Sequence, residues 1–147
     1  MHKMKKIFLL IIAVFLAIII CFYMNYKELM IEKNDAKKFN SEYEFYNKES
    51  ILGTDITTII NKAINNNQKY SISKDENGLY IPDEENSIKI YIHMISNETT
   101  YPMESFVARS LEDFTRFFGQ VSFKCTDVKY HSKTGKISEM TFTSDEY

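Results

Sequence analysis

The chain has 147 residues, 44% of them apolar, with 18 basic and 20 acidic side chains. This length accommodates one small domain and an N-terminal segment, but not a second domain. Residues 1–24 hold three lysines and no acid, so the rest of the chain carries 15 basic against 20 acidic residues, a formal charge of −5. Because an acidic domain repels a phosphate backbone, we exclude nucleic acid as a partner.

The N-terminus is predicted to be a membrane anchor. Eighteen residues, Ile7 to Met24, carry no formal charge. At about 1.5 Å per residue, a helix of this length covers roughly 27 Å, close to the ~30 Å hydrocarbon core of a bilayer. A cleaved signal sequence has a shorter apolar core and a small-residue cleavage site, whereas bulky residues follow this segment. We therefore predict an uncleaved transmembrane helix that contacts membrane lipid through residues 7–24.

The orientation of this anchor follows from the flanking lysines. Three lysines and the α-amino group lie within six residues of its N-terminal end, and Lys27 alone lies that close to the other end. Positive charge favours the cytoplasmic side, so we predict a single-pass protein of the cell membrane with an extracytoplasmic C-terminal domain. Lipid attachment at Cys21 is not expected, because three isoleucines precede it instead of a small residue.

Two amphipathic helices are predicted after the anchor. Residues 25–47 lack Pro and Gly, and one helical stripe holds the apolar residues Leu29, Ala36, Phe39, Tyr43 and Tyr46. Gly53 interrupts this helix, and Thr54 or Asp55 is expected to cap the next one. Three asparagines at 65–67 are expected to end the second helix. Its apolar face consists of Ile56, Ile59, Ile60, Ala63 and Ile64.

The apolar period then changes to two, which predicts strands. "KYSIS" and "GLYIP" indicate a hairpin closing at Gly78, and "SIKIYIHMI" indicates a strand with Ile88, Ile90, Ile92 and Met94 on one face. Ser110 and Asp113 match a capping box. They would open a short helix that ends at Gly119 and carries Leu111, Phe114, Phe117 and Phe118.

The C-terminal segment 121–143 is predicted to form a β-hairpin with Gly135 in its turn. Val121, Phe123 and Cys125 alternate, whereas Val128 and Tyr130 have the opposite parity. A β-bulge near Thr126 or Asp127 would place both sets on one face.

The predicted fold class is α+β. An N-terminal transmembrane helix continues into an amphipathic helix, and a second helix packs on an antiparallel sheet of about five strands. Residues 1–24 form the charged N-terminus and anchor, and residues 25–147 form a single extracytoplasmic α+β domain with 25–47 as its helical stalk.

No catalytic, cofactor-binding or metal-binding residue is predicted. Each of the four glycines falls at an element boundary, which leaves none for a phosphate-binding loop. His93 and His131 lack metal-ligand spacing and are interpreted as surface residues. A nucleophilic role for Cys125, paired with either histidine, is not predicted, because its core pattern indicates a small buried hydrophobe.

Three further features have structural interpretations. Ser110 is interpreted as a helix cap, and no nucleophile motif surrounds any serine. The acidic run Asp83–Glu85 indicates a solvated turn, because it lacks the alternating ligands of a calcium loop. The tyrosines at positions 43, 46 and 70 are interpreted as core residues, with an exposed patch for a partner as the alternative.

Three stretches, "FNSEYEFY", "GTDITTIINKAINNN" and "FKCTDVKYHSKTGKI", resemble a family of small single-span membrane proteins of Gram-positive bacteria without assigned function. The resemblance covers residues 39–143 and implies no catalytic residue. A charged N-terminus, an apolar helix running into an amphipathic one and a β-rich head are also similar in outline to pilins and pseudopilins. The sequence departs from prepilins, since "MHKMKKIFLLIIAVF" has neither the small residue before the cleavage site nor the glutamate after it.

These observations favour a non-enzymatic role. The first hypothesis is a membrane-anchored component of a bacterial envelope assembly, of secretion or pilus-like type, with protein partners or self-association. The alternative is a membrane-anchored binding module for immunity, adhesion or sensing, which captures a peptide or protein at an exposed strand edge.

Overall fold

A computed structural model describes residues 2–48 and 50–145 and divides the chain into two compact units, Met1–Asp35 and Ala36–Tyr147. The elements follow in chain order as α1 (His2–Glu44), β1 (Ile51–Leu52), α2 (Gly53–Lys69), β2 (Lys89–Met94), a 3-10 helix (Ile95–Asn97), β3 (Thr99–Pro102), α3 (Met103–Arg109), α4 (Leu111–Phe118), β4 (Ser122–Tyr130) and β5 (Ile137–Ser144). The α+β class and the count of five strands are confirmed.

The first unit consists of the N-terminal part of α1. Every residue from Met4 to Asp35 is exposed, including the whole apolar segment 7–24. Among the helices of the described residues, α1 alone is long and apolar enough to cross a membrane, by length and composition. A helix that is apolar on all sides suits a lipid environment better than water.

The sheet of the second unit has the strand order β1-β4-β5-β2-β3. Neighbouring strands are antiparallel except β2 and β5, which run parallel and pair Ile90 with Met140 and Ile92 with Phe142. The sheet is therefore mixed and departs in this pair from the antiparallel expectation. Alternation of apolar residues reports which face of a strand is buried but not the direction of its neighbour, so the sequence pattern does not encode this pairing.

One face of the sheet and the helices enclose the core. The apolar face predicted for α2 is confirmed, since Ile56, Ile59, Ile60 and Ala63 are fully buried and Ile64 packs against them. The predicted face of β2 is confirmed as well: Ile88, Ile90, Ile92 and Met94 are buried. From the end of α1, the core also takes up Tyr43 and Tyr46, with Phe39 beside them.

Several apolar residues lie outside this core. Leu29 and Phe117, which the helical pattern assigns to buried stripes, are 56% and 67% exposed. Tyr70 is 39% exposed, so of the three tyrosines only Tyr43 and Tyr46 are core residues. An apolar repeat of helical period marks a stripe along the whole helix. Residues at the ends of such a stripe lie beyond the surface that the neighbouring elements cover, and they are therefore exposed.

Both glycines that the sequence pattern places in turns have backbone conformations typical of turns. Gly78 and Gly135 have positive φ values of 78° and 69°, as tight turns require. The hairpin predicted around Gly78 is reduced to one isolated bridge between Lys74 and Tyr80. The predicted bulge is confirmed, because the register of β4 shifts between Cys125 and Asp127.

The helix ends differ from the predicted caps. The N-cap of α2 is Leu52, so neither Thr54 nor Asp55 occupies the predicted cap position. Asp55 lies in the first turn, where its carboxylate accepts the backbone N–H of Leu52 at 3.0 Å. Ser110 does not cap α4 with its side chain: it forms the single-residue junction between α3 and α4, with φ at 114°. Asp113 pairs with Arg116 at 2.6 Å instead of reaching back to position 110.

The asparagine stop of α2 is also wrong, since the helix continues to Lys69. Asn67 is fully buried inside the last turns, where its side chain accepts from the Ile88 N–H at 2.9 Å and donates to the Ile88 carbonyl at 2.8 Å. Asn66 donates to the Asn86 carbonyl at 2.7 Å. These hydrogen bonds attach the end of α2 to the segment that leads into β2, so tertiary contacts override the weak helix propensity of asparagine.

Candidate functional site

Cys125 and His93, one of the two nucleophile–base pairs considered from the sequence, are not brought together. Cys125 on β4 lies opposite Phe142 of β5, on the core face of the sheet. His93 on β2 lies opposite Thr143 of β5, on the other face, where its ring is 2.9 Å from the Thr100 hydroxyl. A strand separates the two residues and their side chains leave opposite faces, so they cannot form a nucleophile–base pair.

The thiol of Cys125 is also in an unfavourable environment for nucleophilic chemistry. Burial raises its pKa, a backbone hydrogen bond from Asp127 opposes the increase, and the negative charge of the Asp127 carboxylate adds to it. Thiolate, the reactive form, is therefore disfavoured at neutral pH. The side chain contributes to packing as a small, partly buried hydrophobe.

His131 is buried, and its prediction as a surface residue is wrong. Its side chain is only 7% exposed, and Nε2 lies 2.7 Å from the Ser87 carbonyl oxygen. The residue follows β4 directly, where the turn towards β5 folds over the segment before β2. Its role is to satisfy a buried carbonyl 44 residues away in sequence, a partner that no local pattern reveals.

The acidic run at 83–85 forms a self-contained turn. One oxygen of the Asp83 carboxylate accepts the backbone N–H groups of Glu85, Asn86 and Ser87 at 2.7–3.1 Å. Partial burial acts to raise the pKa of Asp83, but these hydrogen bonds lower it below its usual value. Glu84 forms an ion pair with Lys133. Within residues 2–48 and 50–145, no group of three His, Cys, Asp or Glu side chains is placed to hold a metal ion.

The open edge of β4 is the surface with the clearest capacity to bind another chain. On its outer side, β1 pairs only with Ser122 and Phe123. The N–H of Cys125 next donates to the Lys48 carbonyl at 3.4 Å. From Thr126 to Tyr130, no strand within the described residues pairs with this side, and Tyr130 is 57% exposed. We call this stretch, residues 126–130, the β4 edge.

The sheet face beside the β4 edge is polar. Lys129 reaches across to Glu139 of β5 at 2.5 Å and lies 3.8 Å from Asp127, so its charge is held over the sheet. Partial burial, followed by the Glu139 carboxylate, raises the pKa of Tyr91 on β2. The Tyr91 hydroxyl therefore remains protonated and able to donate a hydrogen bond at neutral pH.

Comparison with known proteins finds no matching family model, no matching curated protein and no matching solved structure. The class of protein is therefore described from the structure of this chain alone. It has an α+β domain in which the outer sides of β3 and of the β4 edge pair with no strand within the described residues, and a first helix able, by length and composition, to cross a membrane.

Proposed function

We propose that this chain is a non-enzymatic, single-pass membrane protein whose α+β domain binds a protein segment outside the cytoplasm. The observation that carries the proposal is the unpaired β4 edge. An edge strand presents a row of backbone N–H and C=O groups, and an extended segment can pair with them as an additional strand. The separation of Cys125 from His93 on opposite sheet faces supports a role in binding over a role in catalysis.

The form of the β4 edge favours a short partner segment. Native edges are often protected by lysines and bulges, and this edge contains both. Lys129, however, is held by Glu139 over the sheet face. Register shifts at Cys125/Asp127 and Lys129/Tyr130 leave Asp127–Lys129 as a regular stretch. A stretch this short forms few backbone hydrogen bonds with an added strand. It therefore disfavours the repeated addition of strands and suits one short peptide segment.

The β4 edge is tested by site-specific photo-crosslinking of the full-length protein in its native membrane. A photoreactive phenylalanine analogue replaces Tyr130 at the edge or, as the control, Phe117 on α4, which is 67% exposed. We expect a discrete adduct from position 130 and none from position 117. Equal yields at the two positions, or no adduct at either, would show that the edge does not bind a partner.

A component of an envelope assembly, of secretion or pilus-like type, is the second candidate function. It is favoured by exposed apolar residues of α1 that lie beyond the predicted span: Leu29, Met30 and Ile31 are 56%, 45% and 51% exposed. A second helix could cover them by lateral association. In a Leu29→Cys, Cys21→Ala, Cys125→Ala chain, whose single thiol is at position 29, oxidation in membranes would then give disulfide-linked homodimers, whereas a binding module predicts monomers.

The membrane location and orientation give a separate prediction. Because residues 7–24 are apolar and exposed on all sides, the full-length chain is expected to sediment with membranes in alkaline carbonate and to be released by detergent. In a Cys21→Ala, Cys125→Ala background, Asn77→Cys places one thiol on an exposed turn. A membrane-impermeant maleimide should label it in intact cells. Labelling only after lysis would show that the domain lies in the cytoplasm. Recovery of the chain in the soluble fraction would show that residues 7–24 do not anchor it in a membrane.

A further inference from the structure

Asn77 and Gly78 form the one Asn-Gly pair of the sequence, and both lie exposed in a turn outside the five-stranded sheet. The backbone N–H of Asn77 is hydrogen-bonded, but its side-chain amide takes part in no hydrogen bond among residues 2–48 and 50–145. At Gly78 a Cβ atom would meet nothing within 4 Å, so the space beside the peptide bond between the two residues is open. The Asn77 amide is therefore free to approach the Gly78 nitrogen.

This pair of residue types is chemically reactive. An asparagine side chain can close a five-membered ring with the peptide nitrogen of the next residue, and such an intramolecular reaction depends mainly on orientation. A Cβ atom on the next residue hinders the approach of the two groups, whereas glycine has none. Asn97 gives the contrast. It is also exposed, but Glu98 follows it, and its side chain donates to the Tyr101 hydroxyl at 2.8 Å.

Asp75 restrains the turn in which the pair lies. Its Oδ1 accepts the N–H groups of Asn77 and Leu79, each at 2.9 Å. Its carbonyl oxygen accepts the Gly78 N–H at 3.0 Å. The Gly78 nitrogen cannot attack while its N–H is donated to Asp75, so the turn must open before the ring can close. Because the turn is exposed and outside the sheet, this opening requires only local unfolding.

We propose that Asn77–Gly78 is a site of self-catalysed deamidation, and that Asp75 limits its rate. When the turn opens, the Gly78 nitrogen loses its proton to hydroxide or a buffer base and attacks Cγ of Asn77. The new N–Cγ bond closes a succinimide ring, the Cγ–Nδ2 bond breaks, and Nδ2 leaves as ammonia after taking a proton from water. A water molecule then adds to either ring carbonyl and opens the ring to aspartate or isoaspartate.

The reaction changes how this turn is attached to the domain. Both products place a new carboxylate beside Asp75, which repels it. Isoaspartate also inserts one carbon into the main chain between the N–H groups of residues 77 and 79, so Asp75 cannot hold both in the same geometry. Tyr80 directly follows the turn, is buried and donates its N–H to the Glu104 carboxylate at 3.0 Å. Since ammonia is lost, the loosening of this contact with α3 is irreversible.

The test follows the full-length protein in detergent micelles during incubation at mildly alkaline pH, below its unfolding temperature. Samples are digested at acidic pH, which slows the reaction, and their peptides are analysed by mass spectrometry against a sample taken at the start. We expect the peptide that contains Asn77 to gain one dalton with time and to separate into aspartate and isoaspartate forms. The peptide that contains Asn97 is the internal control and should remain unchanged. Conversion of Asn77 no faster than that of Asn97, or without isoaspartate, overturns the proposal.

Variants of the turn test the restraint. Asp75→Ala removes the acceptor of two N–H groups and should raise the rate about fivefold or more, because the loss of two hydrogen bonds raises the population of the open turn by about this factor. Glu76→Ala, at an exposed position in the same turn, should react as the parent does. Asn77→Gln would need a larger ring and should not convert.

If Asp75→Ala does not fold, unfolding of the parent in urea breaks the same hydrogen bonds and should accelerate the conversion to a similar extent. The restraint by Asp75 is overturned if Asp75→Ala reacts no faster than Glu76→Ala, or if the folded and urea-unfolded parent react at equal rates. Conversion of Asn77→Gln at the rate of the parent would show that the ring closure with Gly78 is not the reaction.

Discussion

An Asn67→Ala variant is expected to lose about 3 kcal/mol or more of the free energy of unfolding. The Asn67 side chain is fully buried and satisfies both the N–H and the carbonyl of Ile88. Its removal leaves two buried backbone groups without partners, each costing about 1–3 kcal/mol. Since small domains are stable by about 5–15 kcal/mol, this loss is a large fraction of the total.

The measurement is urea unfolding of the full-length protein in detergent, followed by tyrosine fluorescence. Asn65→Ala is the matched control, because it lies on the same helix and is exposed. Alanine favours helix, so the control should unfold within about 0.5 kcal/mol of the parent or slightly above it. A loss in Asn67→Ala no larger than in the control would mean that the contacts with Ile88 do not hold the end of α2 to the sheet.

The elements that the sequence predicts well are those whose pattern reports burial directly. The isoleucines of α2 and β2 repeat at the spacings of a helix and of a strand, and each set lies on the buried face. The bulge of β4 follows from the same logic, because a change of parity without a bulge would expose one set of apolar side chains.

Other elements have no such signal. The two-residue β1 and the four-residue β3 are too short to show a period, and α3 contains about two turns of helix followed by an abrupt junction at Ser110. The parallel pairing of β2 with β5 depends on the path of everything between them. In each case tertiary contacts decide the structure, and local propensity does not.

The candidate binding surface is also only partly predictable from the sequence. An exposed strand edge could be expected from the predicted sheet, but only the strand order shows that β4 contributes a free edge beyond the two-residue β1. Contacts between distant segments leave no local signal either: the Glu104 carboxylate on α3 accepts the N–H of Tyr80, 24 residues earlier in the chain.

A Gly53→Ala variant is expected to destabilise the domain by about 3 kcal/mol, at the upper end of the usual cost of overpacking. A Cβ atom at this position would lie 1.9 Å from the Phe118 carbonyl oxygen and 2.6 Å from its carbonyl carbon. Both are backbone atoms and cannot rotate away. The close approach also carries hydrogen bonds from the Gly53 N–H to Val121 at 2.9 Å and from the Thr54 N–H to Gly119 at 3.2 Å. Gly53 is thus required by the contact between the start of α2 and the end of α4, and its predicted role as the break between two helices is wrong, because α1 already ends at Glu44 and Gly53 is the first residue of α2.

Gly78→Ala separates this steric effect from the general consequences of replacing a glycine. At position 78 a Cβ meets nothing within 4 Å, and only the positive φ of 78° opposes the substitution. Its expected cost is about 1–2 kcal/mol, the penalty of a left-handed backbone for an L-residue. Urea unfolding in detergent should therefore rank the parent above Gly78→Ala and Gly78→Ala above Gly53→Ala. If Gly53→Ala were the more stable of the two variants, the α2–α4 contact would have to accommodate a methyl group, and the close backbone approach would not be a determinant of the fold.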